Sequence, residues 1–153
     1  MHGHADRNSV PWAAKWLGGL GLIPFAACAL ASVLAPPQWS DSASQWLVFY
    51  GAVILSFLGG IQWGMAIRTE GGPDGSGPSA SDLALSVVPA LLGWFALLVP
   101  AGYALVILAV AFASVLAVDL MTTRNRRAPD WYPKLRWPLT VIAIVTLIIG
   151  AAV

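Results

Sequence analysis

Four polar side chains lie within or at the edge of strongly apolar stretches of this sequence, which makes them the first candidates for chemistry. They are Gln62, Ser86, Asp119 and Arg136. A polar group inside a membrane is costly, so it needs a partner or a purpose. We expect Asp119 to pair with Arg136 (or Arg124) and Gln62 to bridge to Ser86, in one polar cluster. The same residues are also typical of caps at a membrane interface, where an arginine side chain extends to water.

Side chains of the kinds that carry out catalysis are scarce. Both histidines, His2 and His4, lie in the N-terminal tail, and the single cysteine, Cys28, excludes an internal disulfide and a multi-cysteine metal site. The sequence contains no HExxH motif, no paired catalytic carboxylates and no phosphate-binding glycine loop. We therefore predict that the protein is not an enzyme and that it has no catalytic, cofactor-binding or metal-binding residues.

The composition indicates an integral membrane protein. Of the 153 residues, 58% are hydrophobic and only 10% are charged, whereas a soluble domain carries about 25% charged residues. The net charge of +1 gives no indication of nucleic-acid binding. We predict that the lipid bilayer surrounds the chain, that no nucleic acid binds it, and that the candidate partners are another membrane protein or a second copy of this chain.

Five apolar segments of about the length that crosses a bilayer run through the chain. They cover residues 17–34, 46–67, 83–99, 103–120 and 135–153. The sequence Pro100-Ala101-Gly102 separates the third from the fourth, which predicts a helical hairpin there and not one long helix. We therefore predict an all-α integral membrane protein, a single domain of residues 1–153 built as a bundle of five transmembrane helices.

The positive charges predict how these helices are oriented. All the lysine and arginine residues fall on one side of such a bundle: Arg7, Lys15, Arg68, Arg124, Arg126, Arg127, Lys134 and Arg136. The positive-inside rule makes this side cytoplasmic, with the N-terminus inside and the C-terminus outside. Two connections lie on the same side. We predict a flexible Gly-, Pro- and Ser-rich loop at 70–81 and a basic, aromatic loop at 122–137 along the inner membrane surface.

Small residues recur at every fourth position of the second apolar segment, at Ala52, Ser56, Gly60 and Gly64. Residues four apart share a helix face, and close backbone contact holds helices together in lipid. This small-residue stripe predicts a face that packs tightly against a neighbouring helix, and packing within the chain is the favoured interpretation. On that interpretation, Gly60→Leu disrupts the bundle far more than Leu58→Ala.

Two prolines, Pro24 and Pro89, lie inside the first and third apolar segments. Each removes a helical hydrogen bond, from the carbonyl groups of Leu20 and Leu85 respectively, and so predicts a kink. Proline is also common in membrane helices, where a nearby serine or a water molecule satisfies the released carbonyl. Discontinuous helices form substrate sites in some transporters, which keeps a transport function open.

Several stretches of the sequence together resemble a known family. They are Gly21-Leu22-Ile23-Pro24-Phe25, the run YGAVILSFLGGIQWG from Tyr50 to Gly64, Ser86-Val87-Val88-Pro89 with Trp94, and Asp119 followed by Trp131-Tyr132-Pro133-Lys134-Leu135-Arg136. Their order and spacing are similar to those of the domain of unknown function that occurs in proteobacterial inner-membrane proteins and in mitochondrial transmembrane protein 69. The resemblance implies a multi-helix protein of the bacterial cytoplasmic membrane. It implies no particular activity, cofactor or catalytic residue.

These features favour a non-catalytic protein of the bacterial cytoplasmic (inner) membrane that packs against, or helps to assemble, another membrane protein. The alternative is a small transporter or channel subunit that uses helix kinks at Pro24 and Pro89 and the polar cluster at Gln62 and Asp119. A polar path through the outer half of the membrane would distinguish the two hypotheses, and the sequence shows none.

Overall fold

The computed structural model describes residues 10–68, 79–124 and 131–153, without the side chains of residues 68 and 122–124. Within these ranges the chain forms five α-helices and no strand. They are α1 (Trp12–Leu34), α2 (Pro37–Arg68), α3 (Ala80–Ala96), α4 (Ala101–Arg124) and α5 (Tyr132–Ala151). The all-α class is confirmed.

Four of these helices, α1, α2, α4 and α5, are long and apolar enough to cross a membrane. The remaining helix, α3, is also apolar but has only 17 residues. The break between α3 and α4 lies where the sequence predicts a hairpin, because α3 ends at Ala96 and α4 begins at Ala101. Most of the loop predicted at 70–81 lies outside the described residues, and α3 begins just before that loop was expected to end.

The helices form a ring in chain order, because each helix packs against the next and α5 packs against α1. The first and fifth helices run in the same direction, because Gly18 of α1 lies beside Leu139 of α5 and Gly150 of α5 lies near Ser32 towards the end of α1. The consecutive helices α2 and α3 are antiparallel, because Gly59 lies against Ser86 and Gly93 lies against Ala52. The second helix, α2, also crosses the ring to contact α4 and α5, and so touches all four other helices.

Leucine and aromatic side chains fill the interior of the ring. The fully buried leucines are Leu47, Leu55, Leu105, Leu108 and Leu147. Phe25 of α1 packs edge-on against Tyr50 of α2 and Phe112 of α4, with ring centroids 5.0 and 5.8 Å apart. The hydroxyl of Tyr50 donates a hydrogen bond of 2.8 Å to the carbonyl oxygen of Gly21. These contacts attach α1 to the centre of the bundle.

The second helix differs most from its predicted bounds. It begins at Pro37 and not at residue 46, so it includes a stretch that the sequence predicts as an outer loop. Proline is favoured at the first position of a helix, because its φ angle is already helical and its missing N–H has no partner there anyway. Ala43 in this added part is buried. With 32 residues, α2 extends about 48 Å, well beyond the roughly 30 Å of a hydrocarbon core.

The basic, aromatic stretch at 122–137 is mainly helical, which corrects its prediction as a loop. The fourth helix continues to Arg124, and the fifth already begins at Tyr132. Only residues 125–130 of this stretch lie outside the described ranges. Pro133 lies in the first turn of α5, where proline is compatible with a helix because the first N–H groups have no partner within the helix.

Among the described residues, the small-residue stripe packs inside the bundle at Ala52 but not at its other positions, so the prediction of one continuous packing face is wrong. Ala52 is buried against Gly93, but Ser56 and Gly60 are exposed, and a Cβ atom added to Gly60 or Gly64 would meet no described atom within 4 Å. The reason is geometric. A helix has 3.6 residues per turn, so a strict spacing of four rotates by about 40° at each step and about 120° from Ala52 to Gly64. The stripe therefore turns away from the interior.

The closest backbone contacts of α2 are made by other glycines. A Cβ atom at Gly59 would lie 2.6 Å from the carbonyl oxygen of Ser86 in α3. In the reverse direction, a Cβ atom at Gly93 of α3 would lie 3.1 Å from the carbonyl oxygen of Ala52. Two backbones come this close only where side chains are absent, and such contact stabilises helix pairs in lipid.

The order of effects predicted for Leu58 and Gly60 is accordingly reversed. Leu58 is only 4% exposed, so Leu58→Ala leaves a cavity in the bundle and loses its contacts. A side chain on Gly60 meets no atom of the described chain within 4 Å at its Cβ. We therefore expect Leu58→Ala to be the more destabilising change.

Candidate functional site

Three of the four polar residues singled out in the sequence meet at one end of the bundle, between α2, α4 and α5. The Nε atom of Arg136 donates to Oδ2 of Asp119 over 2.9 Å, and Nε2 of Gln62 donates to Oδ1 of the same carboxylate over 3.4 Å. Asp119 is 2% exposed and Arg136 is 8% exposed. The predicted contact between Asp119 and Arg136 is therefore present, as a buried ion pair.

Ser86 does not belong to this cluster, so the predicted bridge from Gln62 to Ser86 is wrong. The Ser86 hydroxyl donates to the carbonyl oxygen three residues earlier in α3, over 2.6 Å. Its residue is buried because the backbone there packs against Gly59. The other partner considered for Asp119, the side chain of Arg124, lies outside the described part of the chain.

Two further residues belong to the site, Tyr132 and Thr140 of α5. The guanidinium carbon of Arg136 lies 6.0 Å from the centre of the Tyr132 ring. Thr140 is 2% exposed, one turn further along the helix. Tyr132, Arg136 and Thr140 are each four residues apart, so they share one face of α5. This spacing is visible in the sequence and would have identified both residues.

The carboxylate of Asp119 thus accepts a hydrogen bond from Gln62 on one oxygen and from Arg136 on the other. The donors come from α2 and α5 and the acceptor comes from α4, so the cluster joins three helices at one level. Its guanidinium and carboxylate charges balance each other. Such an arrangement is suited to holding the helices in register.

Two buried polar atoms next to the cluster have no hydrogen-bond partner among the described residues. They are Nη2 of Arg136 and Oγ1 of Thr140. An unsatisfied buried donor costs roughly 1–3 kcal/mol. The other buried threonine of α5 differs in this respect, because the hydroxyl of Thr146 donates to the carbonyl oxygen of Ala143 over 2.8 Å. Thr140 is therefore unusual for its helix.

A cavity of about 150 Å³ lies beside these two residues, between α1, α2 and α5. Arg136 and Thr140 line it on one side, and Phe112 of α4 contributes to its apolar wall. Leu17 of α1 and Phe57 of α2 also line the cavity and are exposed. The cavity therefore opens to the outside of the bundle between α1 and α2.

The two prolines lie apart from this cavity. Pro24 and Pro89 are inside helices that continue through them, and neither contributes to the cavity wall. Pro89 is buried, where it packs near Gly59. Kinks at these two positions stay predictions.

Hydrogen bonding and charge pairing are the chemistry that this site offers. Across the described ranges, no group of three or more His, Cys, Asp or Glu side chains is placed to hold a metal ion. The single cysteine, Cys28, is half-buried in α1 and is a free thiol.

Comparison with known proteins identifies the family to which the chain belongs. Residues 10–152 match the family described as protein of unknown function (DUF3429). The chain is similar to transmembrane protein 69 of Xenopus tropicalis, with 39% identity over 145 residues, and of Mus musculus, with 31% identity over 141 residues. These alignments cover 92% and 91% of this chain but 54% and 55% of the relatives. The chain thus spans about half the length of the curated relatives it matches.

No solved structure significantly matches this chain. The family match covers the stretch from Gly21 to Arg136 on which the resemblance in the sequence rests, and the curated relatives carry the name that the resemblance implied. That resemblance is confirmed. The chain belongs to the DUF3429 family, a family of multi-helix membrane proteins of unknown function that includes transmembrane protein 69.

Proposed function

We propose that this protein is a non-catalytic accessory component that packs against another membrane protein, or helps to assemble it, through an exposed face of α2. The observation that carries the proposal is the outward position of Ser56 and Gly60, with Gly64 beside them. Small side chains let a second helix come close enough for backbone contact, which is a main source of association in lipid. No described helix of this chain occupies that place.

The chemistry of this outward face supports an apolar partner. The hydroxyl of Ser56 donates to the carbonyl oxygen of Ala52 over 2.9 Å, so it presents no unsatisfied donor. The large apolar side chains of Val53, Phe57 and Trp63 are exposed near it. A neighbouring transmembrane helix can therefore approach the small residues of this face and contact the large apolar side chains beside them.

A photoreactive amino acid at position 60 is expected to crosslink this chain to a protein partner in native membranes. The matched control is position 110, because Val110 of α4 is 62% exposed but belongs to a different helix. After irradiation, a protein adduct is expected on a denaturing gel from position 60 alone, and mass spectrometry identifies it as another protein or as a second copy. Lipid adducts from both positions, without a protein adduct from position 60, would contradict the proposal.

We further propose that all five helices cross the bilayer of the bacterial cytoplasmic membrane, with the N-terminus in the cytoplasm. The 17 residues of α3 extend about 26 Å, and the apolar residues Leu97, Leu98 and Val99 follow them. The parallel course of α1 and α5 fits an odd number of crossings. The orientation is supported by the described basic side chains, which lie near the parallel beginnings of α1 and α5: Lys15, Lys134 and Arg136.

Alkaline phosphatase fused after Val153 is expected to be active, and the same enzyme fused after Gly72 is expected to be inactive. The enzyme needs the oxidising side of the membrane to form its disulfides, and five crossings place the two positions on opposite sides. Colorimetric phosphatase activity in whole cells measures both fusions. Activity of the Gly72 fusion alone would show that the orientation is the reverse of the proposed one. Activity of neither fusion would show that one of the proposed crossings between the two positions is absent.

The alternative, a small transporter or channel subunit, has less support from the geometry. Donors from two helices already hold both oxygens of Asp119, whereas a group that passes protons or ions needs exchangeable partners along a path. Neither Pro24 nor Pro89 lines the cavity beside the cluster.

A further inference from the structure

We propose that the cavity between α1, α2 and α5 binds the carbonyl end of a neutral membrane lipid. The site is built from two buried polar side chains and an apolar wall. Arg136 is 8% exposed and Thr140 is 2% exposed, both line the cavity, and each has one polar atom without a partner in the described chain. Buried polar groups in proteins are normally hydrogen-bonded, so two unpartnered polar atoms on residues that line one cavity indicate a polar ligand beside them.

The polar atoms define which chemical group fits. Nη2 of a guanidinium only donates hydrogen bonds, and a threonine hydroxyl both donates and accepts. A carbonyl oxygen has two lone pairs, so it can accept one hydrogen bond from each of these groups at once. The site therefore fits an acceptor oxygen. A ligand whose only polar group is a hydrogen-bond donor would leave Nη2 of Arg136 without a partner.

The charge balance favours a neutral ligand. The positive charge of Arg136 is already compensated by Asp119, whose Oδ2 lies 2.9 Å from Nε of the arginine. Gln62, which donates to the other oxygen of that carboxylate, is neutral. A carboxylate or phosphate ligand would bring one more negative charge into a buried site that holds no further cation among the residues that line it, and burying an unpaired charge is costly.

The size and position of the cavity identify a lipid as the source of this carbonyl. A volume of about 150 Å³ takes one ring or a short piece of chain, because an apolar protein cavity of about this size binds benzene. The opening passes between the exposed side chains of Leu17 and Phe57. A longer apolar tail of the ligand can extend through this opening into the hydrocarbon core of the bilayer. Membrane quinones and glycerolipid esters both have a carbonyl joined to such a tail.

Thermal unfolding of the purified full chain in detergent tests this proposal. The probes are decylubiquinone (a quinone), monoolein (an acyl ester), decylbenzene (an apolar ring and tail without oxygen) and oleate (an anion). Melting is followed by the circular dichroism of the helices. At saturating concentration, a rise on the order of 5 °C is expected for decylubiquinone, for monoolein or for both. Decylbenzene and oleate are expected to give a smaller rise.

The variants Thr140→Val and Thr146→Val form a matched pair. Both remove a buried hydroxyl from α5 with little change in volume, but Thr146 already donates within its own helix. Thr140→Val is expected to fold at least as well as the parent, since it loses no hydrogen bond among the described residues, and to abolish most of the rise. Thr146→Val is expected to keep the rise.

A rise with decylubiquinone alone assigns a quinone, and a rise with monoolein alone assigns a lipid ester. The proposal is overturned if neither carbonyl probe raises the melting temperature, or if decylbenzene or oleate raises it equally. An undiminished rise in Thr140→Val would overturn it as well, because the carbonyl would then not bind at this hydroxyl.

Discussion

Replacing Asp119 by alanine is expected to lower the free energy of unfolding by about 3–5 kcal/mol, the range found when one partner of a buried ion pair is removed. The reason is the charge that remains. Arg136 is 8% exposed and pairs with Asp119 through Nε, so its guanidinium would stay buried without a counter-ion. Three helices would lose their common contact at the same time. Unfolding of the purified protein in mixed micelles, with increasing denaturing detergent, measures the change.

Two further variants separate charge from packing in this experiment. Gln62→Ala removes only the 3.4 Å hydrogen bond to the same carboxylate, so a loss of about 1 kcal/mol is expected. The double variant Asp119→Ala/Arg136→Met removes both charges and keeps most of the apolar stem of the arginine. It is expected to be more stable than Asp119→Ala, since the buried unpaired charge is gone. Losses that simply add would show that the pair is not energetically coupled.

Gly59→Ala is expected to destabilise the bundle, because overpacking costs roughly 1–3 kcal/mol. The added Cβ would lie 2.6 Å from the carbonyl oxygen of Ser86, a backbone atom that cannot rotate away. The helices α2 and α3 must therefore separate. This loss opposes the gain of about 1 kcal/mol that alanine gives over glycine in a helix. Detergent-induced unfolding is again the measurement.

Two glycines of the same pair of helices are controls for this prediction. Gly60→Ala adds a Cβ that meets nothing within 4 Å, so its stability is expected to equal or exceed that of the parent. Gly93→Ala brings a Cβ to 3.1 Å from the carbonyl oxygen of Ala52, so its effect is expected to lie between the other two. Equal stability of the Gly59 and Gly60 variants would show that α2 and α3 are not in close backbone contact.

The ion pair was predictable because charged residues are rare in and beside the apolar segments of this chain. A charged residue at the end of an apolar segment has few possible partners, and Asp119 and Arg136 flank the same connection between two helices. Ser86 gave no such restriction, because a serine in a helix bonds equally well to the backbone of its own helix. Thr140 shows the limit most clearly. Only the tertiary structure reveals that Thr140 lines a cavity and that its hydroxyl has no partner among the described residues.

The amino-acid sequence by itself determined the class of the protein, its helices and the hairpin between α3 and α4. Apolar length, proline position and scarcity of charge are local properties, and they are sufficient for these features. Only the tertiary structure decided which face of each helix packs inside. In a membrane both the buried and the lipid-facing sides of a helix are apolar, so hydrophobicity does not mark the buried side. The adjacent residues Gly59 and Gly60 lie about 100° apart around α2. A rotation of the helix by less than one third of a turn therefore decides whether Gly59 or the small-residue stripe faces α3, and the sequence made both equally plausible.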